Sequence, residues 1–198
     1  MTRISNNDIK DPTAISQLKS DSNPNAPPGG NGDCARAALL GALVKLRQGD
    51  GKNENPENAA SLIDKLAAQA GLDPNNNHQG TTNDQAEKAA KSQGVPQVTA
   101  YNGTANGKKL IKAMNDGGQA LITIKNPSGK YHSVRVDHID EKKNIAWIHD
   151  PASKDGKLIE KPLSEIIKSM EQGGNTMLVL KNKKDPLLTR LKEKIFGT

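Results

Sequence analysis

Apart from its many charged residues, this 198-residue chain holds five side chains suited to nucleophilic or proton-transfer chemistry near neutral pH: Cys34, His78, His132, His138 and His149. A lone thiol cannot form an internal disulfide, and one Cys with four scattered His cannot supply a Cys-rich zinc site. The thiol is therefore either packing or chemistry. A free Cys is commonly a small buried apolar residue, which leaves the two readings even on residue type alone. Its place in the chain adds a reason for chemistry: Cys34 opens the helical pattern CARAALLGALVKLRQG, after a Gly-rich turn. The positive end of a helix dipole lowers a thiol pKa, and the unpaired N–H groups there can receive an oxyanion.

A nucleophilic Cys requires a base, and the base an orienting group. His78 lies in an Asn-rich loop. His132, His138 and His149 fall on two neighbouring predicted strands, with Asp137, Asp140 and Asp150 close in sequence. Strand alternation sets His132, Val134, Val136 and His138 on one side, and sets Asp150 opposite in direction to His149. If the hairpin closes through an odd-length loop centred on Glu141, His132 and Asp150 stand opposite each other on one face. An even-length loop shifts the pairing by one and breaks that alignment. A metal site is the competing use. His132 and His138 are about 20 Å apart along a strand, too far to share an ion, and His149 points away from the side Asp150 faces. No metal and no cofactor is expected, and His138 and His149 receive structural roles.

The elements that must position these residues follow from periodicity. Ala35, Ala38, Leu39, Ala42, Leu43 and Leu46 share one helical face behind a possible N-cap, Asp33. A second helix carries Leu62, Ile63, Leu66, Ala67 and Ala70, and a third spans about 83–92, capped by Asn83 and ended by Gly94 and Pro96. The period then shifts towards two. Strands are predicted at 97–101, in QALITIK, KYHSVRVDHI and NIAWIH, at about 157–161 and in TMLVLK, with helices at 108–115 and 163–172. Helices first and antiparallel strands second define an α+β domain.

Residues 1–30 are a polar, Pro- and Gly-rich leader with too few large apolar side chains to offset ordering entropy. The compact domain is expected over 31–181, and 182–198 form a basic amphipathic tail with Leu187, Leu188, Leu191, Ile195 and Phe196 near one face. No apolar run approaches the ~18 residues of a membrane span, and the first 30 residues lack a charged-then-apolar signal pattern, so neither a stable membrane span nor Sec export is expected. The net charge of +6 would suit nucleic acid or an anionic surface. The lysines are spread along the chain, however, and aromatic residues for base stacking make up only 2%, so no nucleic-acid partner is expected.

Two motifs, NGDCARAALLGAL and GGQALITIKNPSGKYHSVRVDHIDEKKNIAWIHDPAS, with LIEKPLSEIIKSMEQGGNTMLVL downstream, resemble a papain-like cysteine hydrolase. The closest likeness is to the compact variant used as the peptidase domain of bacteriocin-processing transporters and by bacterial effector cysteine proteases and glutamine deamidases. The resemblance implies N-terminal helices packed on an antiparallel sheet, with Cys34 as nucleophile, His132 as general base and then acid, and Asp150 orienting the imidazole. It further implies an amide substrate in a protein or peptide of a host or competitor cell. The chain would then be an effector or toxin secreted by a dedicated non-Sec system, with a cognate immunity protein or a secretion chaperone as possible partner. The family places a Gln or Asn five or six residues before the Cys to hold the oxyanion. Gly29 and Pro28 stand there instead, with Asn31 near, which leaves room for a divergent substrate or an inactive interaction module.

Overall fold

The computed structural model describes residues 34–48, 66–72, 80–125, 129–153 and 158–182. The expected leader, residues 49–65 with the first half of the expected second helix, Asp33, Asn31, His78 and the tail beyond Asn182 lie outside the described residues.

Six strands form one sheet in the order β1-β6-β2-β3-β4-β5, every neighbouring pair antiparallel: β1 (Gln97–Tyr101), β2 (Gln119–Lys125), β3 (Tyr131–Asp140), β4 (Ile145–His149), β5 (Ile159–Pro162) and β6 (Met177–Lys181). Alternation gives the sheet two apolar faces, and helices cover both. On one face α1 (Cys34–Gln48), the described part of α2 (66–70) and α3 (Asn83–Ser92) pack on Leu121, Leu178 and Leu180. On the other, α4 (Gly107–Asn115) and α5 (Leu163–Gln172) pack on Ala120, Ile122, Val134, Val136, Met177 and Val179. The α+β architecture is as expected; the second helical layer is an addition that the sequence periodicity does not place.

Helix α1 is buried almost all round, as an apolar helix inside a core must be. Beyond the expected stripe, Arg36, Ala37, Leu40 and Val44 are also buried. Helix α3 corrects the expected cap. Thr82, not Asn83, is the N-cap: its side chain accepts from Gln85 N while the Gln85 side chain accepts from Thr82 N, a reciprocal capping box. Asn83 instead reaches across to the sheet, where its Nδ2 donates to Tyr101 O (3.3 Å) and Met177 O (3.0 Å).

The β3–β4 connection is the four-residue turn 141–144, closed by Lys143 N donating to Asp140 Oδ1 and by Asn144 at φ 56°, a left-handed conformation that Asn tolerates better than most residues. Asn144 also starts α5, since its Oδ1 accepts from Ser164 N and its carbonyl from Leu163 N, where Pro162 provides no side-chain cap. At the other end of α5, Gly173 lies so close to β2 that a Cβ there would come within 2.1 Å of the Thr123 carbonyl oxygen. No described helix is long and apolar enough to cross a membrane.

Candidate active site

Cys34 is the first residue of α1, and that helix packs along β3 and β2. Its thiol meets the His132 side chain and both the backbone and the hydroxyl of Ser133. These partners are consecutive on β3, so by alternation they belong to opposite sides of the sheet. One thiol reaches both because the meeting point is the rim: the β3–β4 ladder ends at Arg135↔His149, three residues past His132. Asp150 follows directly after that last pair, and its Oδ1 lies 2.6 Å from His132 Nε2. With Nε2 engaged by the carboxylate, the nitrogen left to face the thiol is Nδ1.

The register that permits this contact differs from the odd-loop expectation. Four residues close the hairpin, an even number, and the pairs next to the turn are Asp140↔Ile145, Ile139↔Ala146 and His138↔Trp147. Continued unchanged, that register would turn His132 and Asp150 to opposite faces. A bulge between Val136 and His138 inserts one extra residue on β3, after which the pairs are Val136↔Ile148 and Arg135↔His149. The bulge restores the parity that the even loop removes. Extended one step, the new register sets Asp150 across from Val134, diagonal to His132, a relation from which long side chains still meet. The bulge also corrects the expected alignment of His138 with Val134 and Val136: Val136 and Ile139 are buried, while His138 is exposed and its ring lies 5.2 Å from that of Trp147.

The residue at the bulge, Asp137, is one of the three acids close in sequence to the histidines, and it serves as a link rather than as a His partner. Its carboxylate pairs with Lys45 Nζ on α1 and with Arg135 on β3, whose side chain is fully buried. The acid thus ties the helix that carries Cys34 to the strand that carries His132. Ser133 escaped the sequence reading, although alternation next to His132 directs it towards α1. His149 is buried, in register with Arg135, and its charge adds to the lowering of Asp150.

Electrostatics separates the three groups. Burial pushes the Cys34 thiol up, but hydrogen bonds from His132 and Ser133 and the nearby imidazolium outweigh it, leaving the thiol below its usual value. Burial likewise lowers His132, against Asp150 and Cys34, which together raise it from 6.5 to about 9. Asp150 is raised by burial and lowered further by His132 and by Ala152 N, which donates to Oδ1 at 2.8 Å. The result is a thiol disposed to ionise beside an imidazole disposed to stay protonated. The first turn of α1 carries no acidic residue to oppose a thiolate or oxyanion there. Among the described residues no group of three or more His, Cys, Asp or Glu side chains stands ready to hold a metal ion.

Helices packed on a six-stranded antiparallel sheet make an α+β fold that is also found in solved structures of cysteine peptidases. Solved structures of that class resemble the chain. A protein described as a C39-like peptidase from Bacillus anthracis superposes at TM-score 0.55 and 14% identity, covering 76% of this chain and 89% of that one. The peptidase domain of Streptococcus ComA, a bifunctional ABC transporter of a quorum-sensing pathway, does so at 0.51 and 16%, covering 85% and 97%. The Pseudomonas avirulence protein AvrPphB aligns at 0.39 and 9%, too loosely to bear on the fold. No protein-family model matches the sequence, and no curated protein matches it.

Proposed function

We propose that this protein is a cysteine hydrolase that cleaves an amide bond in a protein or peptide, with Cys34 as nucleophile, His132 as general base and acid, and Asp150 as the residue that orients the imidazole. The observation that supports the reading is the hydrogen-bonded chain from the Cys34 thiol through His132 to Asp150. With the thiol lowered and His132 raised to about 9, the pair is biased towards thiolate and imidazolium. The thiolate attacks the amide carbonyl, and the oxyanion forms at the N-terminus of α1, where the Cys34 N–H and the helix dipole favour negative charge. His132 gives its proton to the departing amine, leaving a thioester. A water deprotonated by His132 then hydrolyses the thioester, which releases the acid and restores the thiolate. Asp150 holds Nε2 throughout, which keeps Nδ1 turned to sulfur and stabilises the imidazolium.

The same chemistry releases an amine from a peptide bond or ammonia from a Gln side chain. The reading extends, on the sequence resemblance, to an effector or toxin acting on a protein of a target cell. Iodoacetamide tests the core of the proposal. Cys34 should alkylate faster than a free peptide thiol at neutral pH, and His132→Ala should return its rate to the steep rise of an ordinary thiol. Alkylation no faster than a free thiol, together with full activity in Cys34→Ala, would sink the reading. Intact masses after incubation with lysate separate new termini, the mark of proteolysis, from the small gain of Gln-to-Glu conversion.

A further inference from the structure

Beside Cys34 lies a cleft of about 230 Å³, walled on one side by Ala35, the next residue of α1, and by Ser133, which bonds the thiol. Its size is below the roughly 300–1,000 Å³ of pockets that take a whole small ligand, so it suits a single side chain. The lining is unusual in chemistry. Thr81, Thr82, Thr123, Thr176, Ser133 and Asn102 line it together with Leu121 and Leu178, the Thr82 hydroxyl being engaged by Gln85 N and that of Thr176 by Gly174 O, and no Asp, Glu, Lys, Arg or His lines the cleft among the described residues. Asp84, in the first turn of α3, is engaged by Asn102 Nδ2 at 2.9 Å and does not line it. The Oγ1 of Thr81 is buried with no hydrogen-bond partner among the described residues. The wall is held in place by the bonds of Asn83 to the carbonyls of β1 and β6.

We propose that this cleft is the specificity subsite of the hydrolase and takes an uncharged polar side chain, hydroxyl or carboxamide, from a substrate residue on the acyl side of the attacked amide. The inference rests on the proposed function and names the substrate class for the same site. A cationic or anionic side chain entering the cleft would lose its hydration and find no opposite charge, which is costly. A purely apolar side chain would leave the Thr81 hydroxyl unpaired, whereas a Gln, Asn, Ser or Thr side chain can bond to it. Proximity to the thiol makes the cleft relevant to catalysis: a side chain anchored between α3 and β2 fixes where the neighbouring carbonyl stands relative to Cys34.

The test uses acetyl-dipeptidyl acyloxymethyl ketones in which each of the two residues in turn is Gln, Asn, Thr, Leu, Lys or Asp, scored by the rate of Cys34 labelling in intact mass. At one of the two positions Gln, Asn or Thr should label at least about tenfold faster than Lys or Asp, and about fivefold faster than Leu, the range of one hydrogen bond. Thr81→Val, which keeps the shape and removes the hydroxyl, should erase the advantage over Leu. Thr176→Asp should raise the rate with Lys relative to Gln. Equal rates across the set, a preference for Leu or for charge, or no gain with Lys in Thr176→Asp would each overturn the subsite while leaving the hydrolase reading intact. If no ketone labels Cys34 faster than a free peptide thiol, the hydrolase reading falls instead, and the subsite with it.

Discussion

The two faces of the sheet are built from different materials. Against α4 and α5 the described core is apolar throughout, with Leu110, Leu163, Ile166 and Met170 closing on Ala120, Ile122, Val134, Met177 and Val179. Against α1, α2 and α3 the apolar cluster shares its space with the polar side chains that are buried among the described residues: Arg36, Gln119, Arg135 and His149. Gln119 and Arg135 face that side because Gln119 pairs with Leu180, and Arg135 with Leu121. A buried charge is tolerated only when paired, and an apolar replacement is often as stable or more so. The charged face is therefore the less economical way to hold a sheet together. It is also the face on which α1 carries Cys34 to the rim, and its charges fix α1 on β3 through the Lys45–Asp137–Arg135 link. The contrast teaches a division of labour, in which one face supplies stability and the other trades some of it to bring Cys34 to the rim, where His132 meets it.

Breaking that link is the largest test of the contrast. Asp137→Ala removes the acid shared by Lys45 and Arg135, so the expected loss is at most about 3–5 kcal/mol, the cost of removing one partner from a buried pair, which the partial exposure of Lys45 reduces. Its mark in denaturant melts should be accompanied by a change in the site: the iodoacetamide rate of Cys34 should fall towards that of a free thiol, under conditions where the variant is still folded. On the opposite face, Met170→Ala removes a fully buried side chain between α5 and the sheet and should cost about 2–5 kcal/mol. The folded fraction of this variant should keep the wild-type Cys34 alkylation profile. If Met170→Ala changes the thiol as much as Asp137→Ala does, stability and position are not divided between the faces.

The sequence makes the apolar face legible, and the site only in part. Leu163, Ile166 and Met170 recur at helical spacing and the strand runs alternate, because burial is a one-residue property that periodicity reports directly. Cys34 is legible for a similar local reason: a Gly-rich turn followed by an Ala- and Leu-rich helix marks the helix start. The His132–Asp150 contact is not, because it depends on two offsets that cancel, an even turn at 141–144 and an extra residue at the Val136/His138 bulge. Neither has a strong local signature, since Asp137 is an unremarkable strand residue until Lys45, 92 positions away, is brought against it. The Thr-lined cleft is still less legible. Thr81, Thr123 and Thr176 come from three separate segments, and a hydroxyl lining has no sequence period.

The smallest effect sharpens the contrast by pH. His132 is raised from 6.5 to about 9 in the folded chain, against burial, by Asp150 and Cys34. A group whose folded value is raised stabilises the fold fully below its unfolded value and loses that contribution as pH climbs through the folded one. The lowered Cys34 thiol adds stability over the same range as pH rises, so the decline is read in a Cys34→Ala background, where thermal stability should fall as pH climbs above about 6.5. Asp150→Asn withdraws the first of the two partners that raise His132, so the decline should flatten and move to lower pH. Met170→Ala should lie below wild type by a nearly constant amount across the same range, since its side chain titrates nothing. A parallel curve for Asp150→Asn, displaced but not flattened, would mean that the carboxylate contributes packing at the rim without holding the imidazolium.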